Sequence, residues 1–212
     1  MLLKTVLFGF LVTTVHAGPV DYTKELQIHI CNANNATDKV DQVKILMDEY
    51  MECKPNTIDI INLAAEFNGT LNGTVDEVAR KVCAKSDQTK KCFAKVHTAA
   101  ALCAKNDDDF LVFLSESSIR SIEYLCNEED GRTRLAKFVD DGGFRCSNNR
   151  SIKMEQCGTP VSTGVKAFIE NIWRCAIHEL KKCSEPAAIR AQGLFDYIML
   201  NERPTSGNTR LL

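Results

Sequence analysis

Thr163-Gly-Val165-Lys-Ala-Phe168-Ile169-Glu-Asn-Ile172-Trp173-Arg-Cys175-Ala176-Ile-His178-Glu179-Leu180-Lys-Lys182-Cys183 carries the clearest structural signal in the chain. Val165, Phe168, Ile169, Ile172, Ala176 and Leu180 recur at steps of three and four, which puts them on one face of an α-helix. Charged residues fill the opposite face, and two cysteines ride on the same segment. The expectation is therefore a helix bound to its neighbours by both apolar packing and disulfides.

The same pattern recurs on either side. Val40, Val43, Met47, Tyr50 and Met51 predict a helix that Thr37 or Asp38 can cap and Pro55 ends. Ile58 to Phe67 predicts a second, short one, followed by a turn at Asn68-Gly-Thr-Leu-Asn72-Gly. Thr74-x-x-Glu77 reads as a capping box ahead of Val75, Val78, Ala79, Val82 and Cys83. Asp87 to Lys105 predicts a fourth helix, with Cys92, Val96, Ala99, Ala100 and Cys103 on one face. Asn106-Asp-Asp-Asp109 opens a fifth, its carboxylates complementing the positive end of the helix dipole. That helix runs through Phe110, Phe113, Leu114, Ser117 and Ile122 to near Cys126. Asp130-Gly131 breaks the chain, Arg132 to Val139 predicts a short helix ending at Asp141-Gly142-Gly143, and Cys146 to Pro160 reads as a stapled loop. Ser184-Glu-Pro186 starts a last helix through Ile189, Phe195, Ile198 and Met199. The expected fold class is all-α: a single disulfide-stapled bundle of about seven or eight helices with short loops.

The N-terminus has a different character. Met1-Leu-Leu-Lys4 is a short cationic start, Thr5 to Val15 an uncharged apolar run, and Val15-His16-Ala17 a cleavage site, the three parts of a secretory signal peptide. The run is too short for a membrane span, which needs about 20 residues. Residues 1–17 are thus expected to be a signal peptide, 18–30 an N-terminal extension, 31–200 the helical disulfide-rich domain and 201–212 a disordered tail. A soluble, secreted product beginning near Gly18 is expected. The net charge of −2 gives no electrostatic support for binding nucleic acid or an anionic membrane.

Ten cysteines follow the signal peptide: Cys31, Cys53, Cys83, Cys92, Cys103, Cys126, Cys146, Cys157, Cys175 and Cys183. An even number in an oxidising compartment reads as up to five disulfides, whose pairing the spacing leaves open. Zinc sites favour Cys pairs two to four residues apart, and the closest pair here, Cys175 and Cys183, is wider. Asn35-Ala-Thr37, Asn68-Gly-Thr70, Asn72-Gly-Thr74 and Asn149-Arg-Ser151 are N-glycosylation sequons and fit the same compartment.

Leu125-Cys126-Asn-Glu-Glu-Asp130-Gly131-Arg132, then Phe138-Val139-Asp-Asp-Gly142-Gly143-Phe-Arg-Cys146 and Cys157, form a distinctive series. It resembles the insect 27-kDa haemolymph glycoprotein family, over roughly Cys31 to Met199. The resemblance implies an abundant extracellular body-fluid glycoprotein from an insect. It brings no catalytic residues to this chain.

Catalytic chemistry finds little footing. Of the histidines only His29, His97 and His178 lie beyond the signal peptide, and no Gly-x-Ser-x-Gly elbow is present. His178-Glu179 opens like a zinc-protease motif, but Lys182 stands where the second histidine belongs. Asp107-Asp108-Asp109 lacks the spacing, glycine and distal glutamate of a calcium loop and reads as helix capping, and Asp140-Asp141-Gly142-Gly143 reads as a helix end. No cofactor, metal or catalytic residue is expected. Phe113, Phe168, Ile172, Trp173 and Phe195 are candidate walls of an apolar pocket, although such stripes more often form core. The leading expectation is a non-enzymatic carrier of a lipid or other small apolar ligand. The alternatives are a storage or protein-interaction glycoprotein, and a hydrolase built around His97 or His178.

Overall fold

A computed structural model describes residues 20–54, 75–105, 110–148 and 165–200. Among these residues there are nine α-helices and one short hairpin. In chain order they are α1 (Val20–Ala33), a 3₁₀ turn (Thr37–Lys39), α2 (Val40–Cys53), α3 (Val75–Cys83), α4 (Ser86–Cys103), α5 (Phe110–Cys126), β1 (Glu128–Glu129), β2 (Arg132–Thr133), α6 (Arg134–Asp140), α7 (Gly143–Asn148), α8 (Val165–Cys183) and α9 (Glu185–Leu200). The chain is an all-α, disulfide-bonded protein, as its periodicity predicts.

Three apolar clusters hold it together. Cys31, Val43, Met47, Tyr50, Cys92, Ala99 and Cys103 join α1, α2 and α4. Ala79, Leu135, Ala136 and Phe144 join α3, α6 and α7. The third and largest lies between α8 and α9, where Ile169, Trp173, Ile177 and Leu180 meet Ala187, Ala188, Ala191, Leu194, Phe195 and Ile198. The alanines let the two helix backbones approach closely. Each large side chain fully buried here contributes about 1.5–3 kcal/mol.

The central pair, α4 and α5, packs through small residues. Ser115, Ser118 and Ser121 of α5 are buried, and their hydroxyls donate to the carbonyls of Leu111 (2.8 Å), Leu114 (2.9 Å) and Ser117 (2.7 Å) one turn back. Satisfied in this way, a serine buries at little cost.

Four disulfides are described. Cys31–Cys103 ties α1 to the end of α4, Cys53–Cys92 ties α2 to α4, Cys83–Cys126 ties α3 to α5, and Cys146–Cys183 ties α7 to α8. Cys175 is also disulfide-bonded, and no cysteine among the described residues is free. Cys157 lies outside the described residues.

Several elements differ from expectation. The residues set apart as an N-terminal extension carry α1 from Val20 onward, with Lys24 paired to Asp48 of α2 (2.5 Å) and Cys31 bridged to α4. The fully buried Gln27 hides the apolar rhythm of this helix. Neither Thr37 nor Asp38 caps α2; both fall in the 3₁₀ turn, and α2 begins without a side-chain cap. Asp130 (φ 51°) and Gly131 (φ 77°) form the tip of a two-residue hairpin with Glu128 opposite Thr133. Positive φ at both central residues is the signature of a type I′ turn. Thr133 then caps α6 by accepting from the Ala136 amide at 3.1 Å. Cys146 to Asn148 form the end of the short helix α7, and the expected stapled loop from residue 149 onward lies outside the described residues, as do the predicted helix at 58–67 and its turn.

Ser184 is the N-cap expected of α9. Its Oγ accepts from the Ala187 amide at 3.3 Å and donates to the Asp141 carbonyl, which joins the start of α9 to the end of α6. Ser184→Ala should cost about 1 kcal/mol, read as a lower urea midpoint at constant slope. An unchanged midpoint would show that the cap contributes nothing.

Candidate functional site

Asn35 is exposed and adopts φ 58°. Ala36 N–H donates to the Cys31 carbonyl (2.8 Å) and Asn35 N–H to that of Asn32 (3.3 Å), the two bonds of a Schellman motif that ends α1. The asparagine thus occupies a left-handed position on an accessible corner. Asn68, Asn72 and Asn149 lie outside the described residues.

The apolar candidates sit in or beside the C-terminal core. Trp173 and Phe195 are buried, with ring centroids 6.0 Å apart. Phe113 packs against the same cluster, and Ile172 is half-buried on α8. The side chain of Phe168 lies outside the described residues. His97 Nδ1 is 3.2 Å from Ser115 Oγ, which is buried and already donates to the backbone. His178 is exposed on α8. Among the described residues no group of three or more His, Cys, Asp or Glu is arranged to hold a metal ion.

Elsewhere, a cleft of about 640 Å³ opens where α4, α5, α6 and α9 converge. Ser86, Asp87 and Lys90 come from the first turns of α4; Ile122, Glu123 and Cys126 come from the end of α5. Asn127, Arg134 and Tyr197 complete it. Its volume falls in the range of small-molecule sites, roughly 300–1,000 Å³, but its walls are mostly polar.

The charges in the cleft are arranged in two groups. Lys90 Nζ stands between the carboxylates of Asp87 (3.1 Å) and Glu123 (3.7 Å), and the Tyr197 hydroxyl donates to Glu123 at 3.4 Å. Those two carboxylates thus share one cation and one hydroxyl donor. Arg134 is paired more loosely. Its guanidinium lies over the Tyr124 ring, 4.3 Å from the centroid. Its Nε is 3.8 Å from Glu129 Oε2, an oxygen that also faces Lys137 (3.6 Å) and Arg190 (3.7 Å). Its Nη1 is buried with no hydrogen-bond partner. Burial raises the Tyr124 phenol above its usual pKa, with Arg134 pulling the other way.

Sequence reasoning did not find this cleft. Its residues come from four helices, and no single segment carries a motif. The Leu125–Arg132 series does mark its rim, because Cys126 and Asn127 line it and the Asp130-Gly131 hairpin turns the chain back to deliver Arg134.

A family model described as a protein of unknown function (DUF1397) matches residues 20–168. The chain belongs to this family. The DUF1397 match spans α1 to the start of α8, and so includes every residue lining the cleft except Tyr197. Relatives extend the likeness over most of the chain. A "27 kDa glycoprotein" of Bombyx mori is 25% identical over 215 residues, covering 93% of this chain and 94% of that protein. A "27 kDa hemolymph glycoprotein" of Manduca sexta is 25% identical over 222 residues, with the same shares. A "27 kDa hemolymph protein" of Galleria mellonella is 25% identical over 185 residues, covering 79% of this chain and 78% of that protein. No solved structure matches the chain with significance.

Proposed function

We propose that this DUF1397 protein is a secreted, N-glycosylated protein of the haemolymph type that acts by binding small molecules, without catalysis. The carrying observation is the likeness to moth proteins named for haemolymph and for glycans over up to 93% of the chain. The disulfides support it, since bridges at this density persist in oxidising compartments. The open cleft supports the binding role, as a preformed concavity in a stapled scaffold loses little conformational freedom on binding. Trp173 and Phe195, two of the expected pocket walls, are packed into the core ring against ring, and the open cleft is the favoured seat.

The test is expression of the full chain in insect cells. The medium should contain a product starting near Gly18, with no alkylatable thiol before reduction and a mass that falls on enzymatic deglycosylation. Asn35→Gly should remove one glycan and leave the unfolding free energy within about 0.5 kcal/mol of the parent, because glycine accepts the positive φ. Retention of the chain inside the cells, or free thiols in the product, would overturn the secreted reading. Native mass spectrometry of the same sample reads any co-purified ligand directly.

A further inference from the structure

We infer that the cleft between α4, α5, α6 and α9 is a site for a small organic anion, with Arg134 as the anchor for its carboxylate or phosphate group. The inference deepens the binding role proposed above and rests on it.

Arg134 is the reason. A guanidinium carries five donors and stays charged at any physiological pH. Here one donor, Nη1, is buried and unpaired, an arrangement that costs more than a made hydrogen bond contributes. The carboxylate facing it, Glu129, stands at 3.8 Å and is shared with two other cations. Arg134 thus lines the cleft with a shared carboxylate as its acidic partner, and a head group that draws the side chain toward the cleft would give the buried Nη1 an acceptor. One further source of positive potential faces the same space: the first turn of α4 begins at Ser86 with no side-chain cap on its amides, and the Asp87 carboxylate in that turn is held by Lys90. Asp87 and Glu123 share the single charge of Lys90, with Tyr197 donating to Glu123, so the anion's head group is left to Arg134.

The cleft is much larger than a bare phosphate, so the ligand has a body as well as a head. Ile122 and the Tyr197 ring supply apolar wall for that body, and the Asn127 side chain is a polar partner at the rim. Charge-assisted bonds from Arg to carboxylate or phosphate fix the head, and the wall accepts a short aliphatic or aromatic remainder.

The experiment titrates the full-length, oxidised, secreted protein at low ionic strength with inorganic phosphate and separately with succinate, by calorimetry and by thermal unfolding. Saturable binding of at least one probe to the parent is expected. A response to phosphate alone assigns a phosphoryl head, and one to succinate alone assigns a carboxylate. Arg134→Gln should weaken binding about tenfold or more, and Lys90→Gln, which leaves the Asp87 and Glu123 carboxylates without their cation, several-fold. Arg174→Gln, on the outer face of α8, should bind like the parent. If Arg134→Gln does not fold, the contrast between Lys90→Gln and Arg174→Gln decides. No saturable binding of either probe, or equal responses from the parent, Lys90→Gln and Arg174→Gln, would overturn the site. A chain that is secreted and fully bridged but binds neither probe would leave the secreted reading standing.

Discussion

Replacing Cys31 and Cys103 together by alanine is expected to destabilise the protein by about 3–4 kcal/mol and to lower its thermal midpoint by roughly 10 °C. The bridge joins residues 72 apart, the longest separation of the four described. It is not independent of the others. Cys53–Cys92 is nested inside it, so the segment it closes when that bridge is intact is about half as long. Loop entropy depends on length only logarithmically, so halving the loop removes only about 0.6 kcal/mol from the effect. The two sulfurs are also core: Cys31 and Cys103 are 0% and 2% exposed, among Val43, Met47 and Ala99. Alanine keeps that site apolar, which leaves the lost constraint as the main term. Urea unfolding without reductant would read the loss. A change below about 1 kcal/mol would mean that the remaining bridges already hold α1 against α4.

The bundle was legible because its rhythm and its punctuation agree. In the α8 stretch, Ile169, Ala176 and Leu180 of the expected stripe are buried and Ile172 is half-buried, while Trp173 and Ile177, each one position on, complete the buried face. The caps were readable only where a side chain does the capping, as at Ser184. At α2 a 3₁₀ turn makes the entry instead, and no residue type announces it. α1 was missed because its buried face includes Gln27, whose amide atoms have no partner. The inner face of α5 was half read: the stripe expected there held Leu114, Ser117 and Ile122 but left out Ser115, Ser118 and Ser121. Backbone bonding makes these serines behave as small core residues, which residue type alone conceals. The cleft was out of reach for a further reason. Lys90, Glu123, Arg134 and Tyr197 are far apart in the chain, and only the packing of four helices brings them together.

The Gly142-Gly143 pair shows what a short motif can mean physically, and it supplies the second large effect. Gly142 follows α6 with φ 82° and donates to the Val139 carbonyl at 2.9 Å, a helix-ending role that its backbone conformation explains. Gly143 has ordinary φ, and its constraint is space. A Cβ there would lie 2.2 Å from Cζ of Phe138 and 2.4 and 2.5 Å from the flanking ring carbons. The ring has nowhere simple to go, since it meets Phe144 edge-on at 5.8 Å and touches two of the three apolar clusters. Gly143→Ala should therefore cost about 3 kcal/mol, the upper part of the usual range for overpacking. Gly142→Ala should cost only about 1 kcal/mol, through backbone strain, because the nearest atoms to its added methyl belong to the flexible Arg145 side chain. A double-mutant cycle separates the mechanisms. In a Phe138→Leu background, which removes the far ring atoms, Gly143→Ala should lose about 1–2 kcal/mol of its effect, whereas Gly142→Ala should be additive. If Gly143→Ala proves as mild as Gly142→Ala, or additive with Phe138→Leu, then the ring does not lie against the glycine. The junction of α6 and α7 that carries Cys146 toward its bridge with Cys183 would then owe its geometry to the turn alone.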